Sequence, residues 1–112
     1  MNAKRVAQVF AWLCILAPAA LADEPHVTTA AQDIVTVKNF AFSPSMLHIP
    51  VGTTVIWKNL DGEPHTVVSD SGLFRSGGLD EGDSFQFTFD KPGTYRFFCS
   101  VHPHMMGTIV VK

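Results

Sequence analysis

Phe85, Phe87 and Phe89 alternate with polar residues through Ser84–Asp90. A period of two over such a run fits one face of a half-buried β-strand and no amphipathic helix. The rest of the chain has the same texture. Ile34–Phe40, Met46–Val51, Thr53–Asn59, His65–Ser69, Thr94–Cys99 and Thr108–Lys112 are short stretches with apolar positions. They are broken by turn residues such as Ser43-Pro44, Gly52, Asp61-Gly62 and Lys91-Pro92-Gly93. Turn signals every eight to twelve residues or so, with Phe and Val enriched between them, predict an all-β antiparallel sandwich. Phe85, Phe87, Phe89, Phe97 and Trp57 are expected to fill its core. Ser71–Gly82 is Gly-rich and reads as a loop, and no segment carries a capped helical stripe.

The first 22 residues stand apart. Lys4 and Arg5 precede an apolar run from Val6 to Leu21, and Ala20-Leu21-Ala22 supplies the small residues of a cleavage site. This is the pattern of a secretory signal peptide. A membrane anchor is the alternative, but the run is short and broken at Pro18. Residues 23–32 are small and polar and read as a flexible leader, which leaves residues 33–112 as one small domain. Loss of Lys4 and Arg5 takes the formal charge from −2 to −4. With no basic cluster to meet phosphates, nucleic acid is excluded as a partner.

Of the two cysteines, only Cys99 lies beyond the leader. An exported chain with one cysteine makes no internal disulfide, and an exposed lone thiol is a liability in an oxidising compartment. Metal ligation would give it a reason to be there. The surrounding segment, Cys99-Ser100-Val101-His102-Pro103-His104-Met105-Met106-Gly107, places a thiol, an imidazole and a thioether at intervals of three. Three ligands on one loop cannot enclose a metal, and His65, in Glu63-Pro64-His65-Thr66-Val67, can supply a fourth from another strand. One Cys, two His and one Met is the soft, mixed set of a His₂Cys copper site with a long axial Met. A Cys-His₃ zinc site from Cys99, His65, His102 and His104 is the competing reading, and it leaves Met105 idle.

These residues resemble the cupredoxins, and within them the amicyanins. The resemblance rests on the short Cys-x-x-His-x-x-Met loop, Pro64-His65, the segment Gly52-Thr53-Thr54-Val55-Ile56-Trp57-Lys58-Asn59, and Pro92-Gly93-Thr94-Tyr95. It covers residues 34–112. It implies a Greek-key sandwich with one type 1 copper ion at one end, held by His65, Cys99, His102 and Met105. Met106 competes for the axial place, but its spacing from His102 fits the short-loop pattern less well. Two departures stand out. Thr66 replaces an Asn common after the first His, and its shorter side chain is expected to bridge the ligand loops less well. Val101 replaces a Pro, and its N–H is expected to donate a second hydrogen bond to the Cys99 sulfur.

The resemblance implies a soluble, monomeric periplasmic electron carrier, not an enzyme. Its partners would be redox proteins: a c-type cytochrome, a quinoprotein amine dehydrogenase or a reductase. Electrons would pass through the exposed edge of His102. A periplasmic copper carrier or storage protein is the alternative, although His48 and His26 form no metal-releasing cluster with other residues. His104 is either a solvated loop residue or a source of pH dependence in docking.

Overall fold

A computed structural model describes residues 31–112; the signal-peptide and leader readings lie outside them, apart from Ala31 and Gln32. Eight strands are formed: β1 Gln32–Lys38, β2 Ala41–Ser43, β3 Met46–Ile49, β4 Thr54–Asn59, β5 Val68–Ser69, β6 Ser84–Thr88, β7 Gly93–Phe98 and β8 Met106–Val111. They make two four-stranded sheets, β2-β1-β4-β6 and β3-β8-β7-β5. The chain crosses repeatedly between them, so neighbours in a sheet are often distant in sequence.

The expected all-β sandwich is what forms, but its sheets are mixed. β1 runs parallel to β4, and β3 runs parallel to β8. Alternation reports which face of a strand is buried and is blind to strand direction. The parallel pairs follow from the crossovers, which bring β1 beside β4 and β3 beside β8.

Trp57 is the centre of the core. Its ring lies 5.4 Å from those of Phe74 and Phe97 and 5.8 Å from that of Phe85. Phe89 and Phe97 are fully enclosed, as expected, whereas Phe85 and Phe87 are half-buried at the sheet edge. The Tyr95 hydroxyl donates to the Lys91 carbonyl at 2.7 Å, closing the turn that feeds β7 as a tyrosine corner does.

Gly107 faces Phe97 across the β7–β8 ladder. A Cβ at position 107 would run into the Phe97 ring. The glycine therefore lets the ring lie flat across the strand and reach Phe42 and Trp57. It is also the second residue of β8, two positions after the Cys99–Met105 loop, so core packing and loop position are fixed together.

Three connections meet at one end of the sandwich: the Asn39-Phe40 turn between β1 and β2, residues 60–67 after β4, and residues 99–105 between β7 and β8. Sequence expectation carried the first strand through Phe40. Instead β1 stops at Lys38, and Asn39 and Phe40 take φ values of 53° and 57°. Left-handed backbone cannot continue a strand.

Candidate metal centre

Cys99 leaves the end of β7, and its loop closes on itself at once. The Cys99 N–H donates to the Met105 carbonyl at 3.0 Å, and the Met105 N–H donates to the His102 carbonyl at 2.8 Å. The residues at intervals of three are thereby gathered at one end of a single tight loop. His65 comes from the facing connection, where its backbone exchanges hydrogen bonds with Leu79 at 3.0 and 2.7 Å.

The structure brings together three of the four residues expected from sequence through their donor atoms. Ligand atoms of His65, Cys99 and His102 all lie within 4.8 Å of one another. The Cys99 Sγ is 3.8 Å from His65 Nδ1 and 3.9 Å from His102 Nδ1. Metal–sulfur and metal–nitrogen bonds of about 2.3 and 2.0–2.1 Å can span either sulfur–nitrogen separation. One thiolate and two imidazoles so placed are the donor set of a His₂Cys metal site. Met105, the fourth, is 2% exposed and ends the same loop, whereas Met106 is 66% exposed and begins β8. His104 is exposed, with its ring centroid 6.4 Å from that of His102, and stands outside the trio.

The surrounding groups favour a thiolate. Burial by itself pushes the Cys99 thiol up. The Thr66 N–H, the His65 side chain, and the N–H and side chain of His102 outweigh it, so the pKa falls from 9.0 to about 6. The Thr66 N–H lies 3.4 Å from Sγ. The expected donor, the Val101 N–H, is not among the groups that act on the sulfur; the second backbone donor is His102 itself. In a turn this tight the N–H groups point in different directions, and spacing alone does not say which faces inward.

The expectation for Thr66 is also corrected. Its Oγ1 stands 2.7 Å from Ser100 Oγ and accepts the Ser100 N–H at 2.8 Å. A short hydroxyl therefore does join the two ligand loops, because Ser100 comes to meet it.

Sequence reasoning missed Asp61. Its Oδ2 is 2.9 Å from His65 Nε2 and, as a carboxylate, accepts a hydrogen bond from a protonated Nε2. Hydrogen bonds from Phe40 first, then Asn39 and His65, outweigh desolvation and hold the Asp61 carboxyl below its ordinary 3.8. Asn59 braces this loop. It is fully buried, accepts the Asp61 N–H at 2.9 Å and donates to the Glu63 and Leu79 carbonyls. The only sequence signal for Asp61 was its place in an Asp-Gly pair, which reads simply as a turn.

The centre is not a substrate pocket. His65 and Cys99 are fully enclosed, and only His102 is part-exposed. A concavity of ≈ 570 Å³ exists elsewhere, lined by Leu73, Phe87, Phe89 and Tyr95 among others, and contains none of these residues.

A two-sheet β-sandwich with a buried His-Cys-His trio at one end defines a class, and comparison with known proteins agrees. The Cupredoxin-like domain family profile matches residues 5–111, and the chain belongs to that family. It is 31% identical over 84 residues to amicyanin from Paracoccus denitrificans, covering 70% of this chain and 64% of the amicyanin. It is 38% identical over 84 residues to plastocyanin from Scenedesmus fuscus, covering 63% of this chain and 86% of the plastocyanin. Among solved structures, a reduced amicyanin variant superposes with a TM-score of 0.69 at 28% identity, covering 78% of this chain and 87% of that one.

Proposed function

We propose that this protein is a periplasmic blue-copper electron-transfer protein of the amicyanin type, in which His65, Cys99, His102 and Met105 would hold the copper. The observation that carries the reading is a His-Cys-His trio whose donor atoms lie within 4.8 Å of one another, with two members buried and one imidazole part-exposed. Copper, when bound, would supply a one-electron Cu(I)/Cu(II) couple.

The protein's own residues account for the rest. Packing and hydrogen bonds hold the trio, so donor positions need change little between oxidation states. The N–H of Thr66 draws charge from the sulfur. Enclosure of His65 and Cys99 excludes water, and His102 is the route from the buried donors to the surface. Around it the three loops present Phe40, Leu60 and Val101, each more than a third exposed. A small apolar patch of this kind suits the brief encounters of redox partners, which need little buried area. A c-type cytochrome, a quinoprotein amine dehydrogenase or a reductase fits that role.

The visible spectrum of the Cu(II)-loaded chain from Asp23 onward, compared with Cys99→Ser, tests the reading. An intense thiolate-to-copper band is expected, bleached reversibly by reductant and missing from the variant. A pale wild-type solution would overturn the assignment. Rapid loss of copper to an apo-acceptor would point instead to a copper carrier.

A further inference from the structure

Asn39 and Phe40 are consecutive non-glycine residues in the left-handed region, with φ of 53° and 57°. A bulky side chain there persists only when its surroundings over-determine the backbone. Asn39 and Phe40 form the two-residue loop of the β1–β2 hairpin, in which Lys38 pairs with Ala41, and Asp61, more than twenty positions away, braces that loop. Its Oδ1 accepts the Asn39 N–H at 2.7 Å, and its Oδ2 accepts the Phe40 N–H at 3.0 Å. The same Oδ2 accepts His65 Nε2 at 2.9 Å. One carboxylate oxygen is therefore shared between the turn and the buried imidazole.

The Phe40 ring shows what this achieves. It packs edge-to-face on His65, with centroids 5.3 Å apart at 85°, and on His102, with centroids 5.1 Å apart at 85°. Both distances are in the favourable range for T-shaped pairs. Yet the residue remains 45% exposed. One part of the ring covers the two histidines while the remainder faces outward beside the part-exposed His102.

We propose that Asp61 is a positioning residue that locks the His65 imidazole and the Phe40 ring into one unit, so that a single carboxylate sets both a ligand's orientation and the apolar contact over the two histidines. The description of His65 as a ligand rests on the copper reading; the clamp itself does not. Charge-assisted bonds to two N–H groups supply the hold on the backbone. With the carboxylate removed, Nε2–H loses its acceptor and the two N–H groups of the hairpin turn lose theirs. Phe40 then swings off His102 and water reaches the imidazole.

Metal-free protein at mildly alkaline pH provides the test, using Asp61→Ala, Asp61→Asn and Phe40→Gly. In Asp61→Ala, amide exchange at Asn39 and Phe40 should accelerate by at least about tenfold, the loss expected for hydrogen bonds to a charged acceptor. The ¹⁵N signature of an Nε2-protonated His65 and the Phe40–His102 ring contacts should be lost as well. Asp61→Asn keeps one acceptor oxygen and, should the alanine variant not fold, must still weaken either the Asn39 bond or the shared Phe40–His65 pair. Phe40→Gly relieves the backbone and leaves the carboxylate in place, so the His65 tautomer should survive. Unchanged exchange and ring contacts in both Asp61 variants would overturn the clamp, as would a change in His65 alone. None of these readings needs metal. A wild-type protein that stays pale with Cu(II) would remove the copper assignment and leave the clamp to be judged on its own.

Discussion

The Thr66 hydroxyl oxygen stands 2.7 Å from that of Ser100 and receives the Ser100 N–H at 2.8 Å, joining the loop of one ligand to the loop of the other across 34 positions of sequence. The Thr66 N–H reaches the Cys99 sulfur at 3.4 Å, nearer than the hydroxyl at 3.8 Å. One residue thus braces the loops with its side chain and polarises the thiolate chiefly with its backbone.

The two roles separate in Thr66→Val, which keeps the shape, the β-branch and the N–H and deletes only the hydroxyl. Stability should fall by about 1–2 kcal/mol, the cost of lost hydrogen bonds at a part-buried site. The thiolate-to-copper band should keep its position. Urea unfolding and the visible spectrum measure the two effects. A stability loss below the error of the fit would mean that water replaces the bridge without penalty.

The thiol gives the metal-free protein a pH dependence. Cys99 ionises at about 6 in the folded chain, against 9.0 ordinarily. Between those values the unfolded chain holds a proton that the folded chain has released. Stability therefore rises with pH from about 6 to about 9, and this contribution is lost as pH falls through the lower value. Ultraviolet thiolate absorbance should titrate near pH 6, and unfolding midpoints should climb across the window in wild type and much less in Cys99→Ser. Val101→Pro should leave the inflection in place, because the Val101 N–H is not among the groups acting on the sulfur. An inflection near 9 would show that the surrounding donors do no more than offset burial.

Much of this was legible because it is local. Alternation in Ser84–Asp90 gave the strand, although only Phe89 of its three phenylalanines is fully enclosed, since β6 lies at a sheet edge. Cys99, His102 and Met105 share one loop, so their association could be read from spacing. β2 escaped notice because three residues are too few to show a period. The parallel pairings escaped because alternation carries no direction. Asp61 and Phe40 escaped for another reason: neither has a local pattern. The carboxylate acts on residues 21 and 22 positions upstream, and Phe40 looked like the last apolar residue of a strand. Those contacts exist only once crossovers have brought three loops to one end.

Gly107 links the core to the ligand loop. Gly107→Ala should cost about 3 kcal/mol or more, as overpacking against an enclosed ring displaces Phe97 or the start of β8. Phe97→Leu alone should also destabilise, but in Gly107→Ala/Phe97→Leu the two losses should sum to less than their separate values, because the clash is gone. Thermal unfolding of the four proteins reads the coupling. Strict additivity would mean that β8 shifts as a unit and that the ring is not what excludes a Cβ.

Met105 and Met106 are adjacent in sequence and opposite in consequence. Met105 is 2% exposed and its N–H is bonded to the His102 carbonyl, whereas Met106 is 66% exposed on the outer face of β8. Met106→Ala should change stability by no more than about 0.5 kcal/mol, as surface substitutions do, and leave the copper spectrum as it was. Met105→Ala should cost about 2–5 kcal/mol through the cavity alone. Under the proposed ligand set it should also alter the visible band and the reduction potential by removing the soft axial donor. Met105→Leu distinguishes these effects, since it restores most of the volume and none of the sulfur. Stability should largely return while the spectrum and potential stay altered. If Met105→Leu matched wild type in both optical readouts and Met106→Ala did not, the axial assignment would move to Met106, and β8 would have to open at its first residue to admit it.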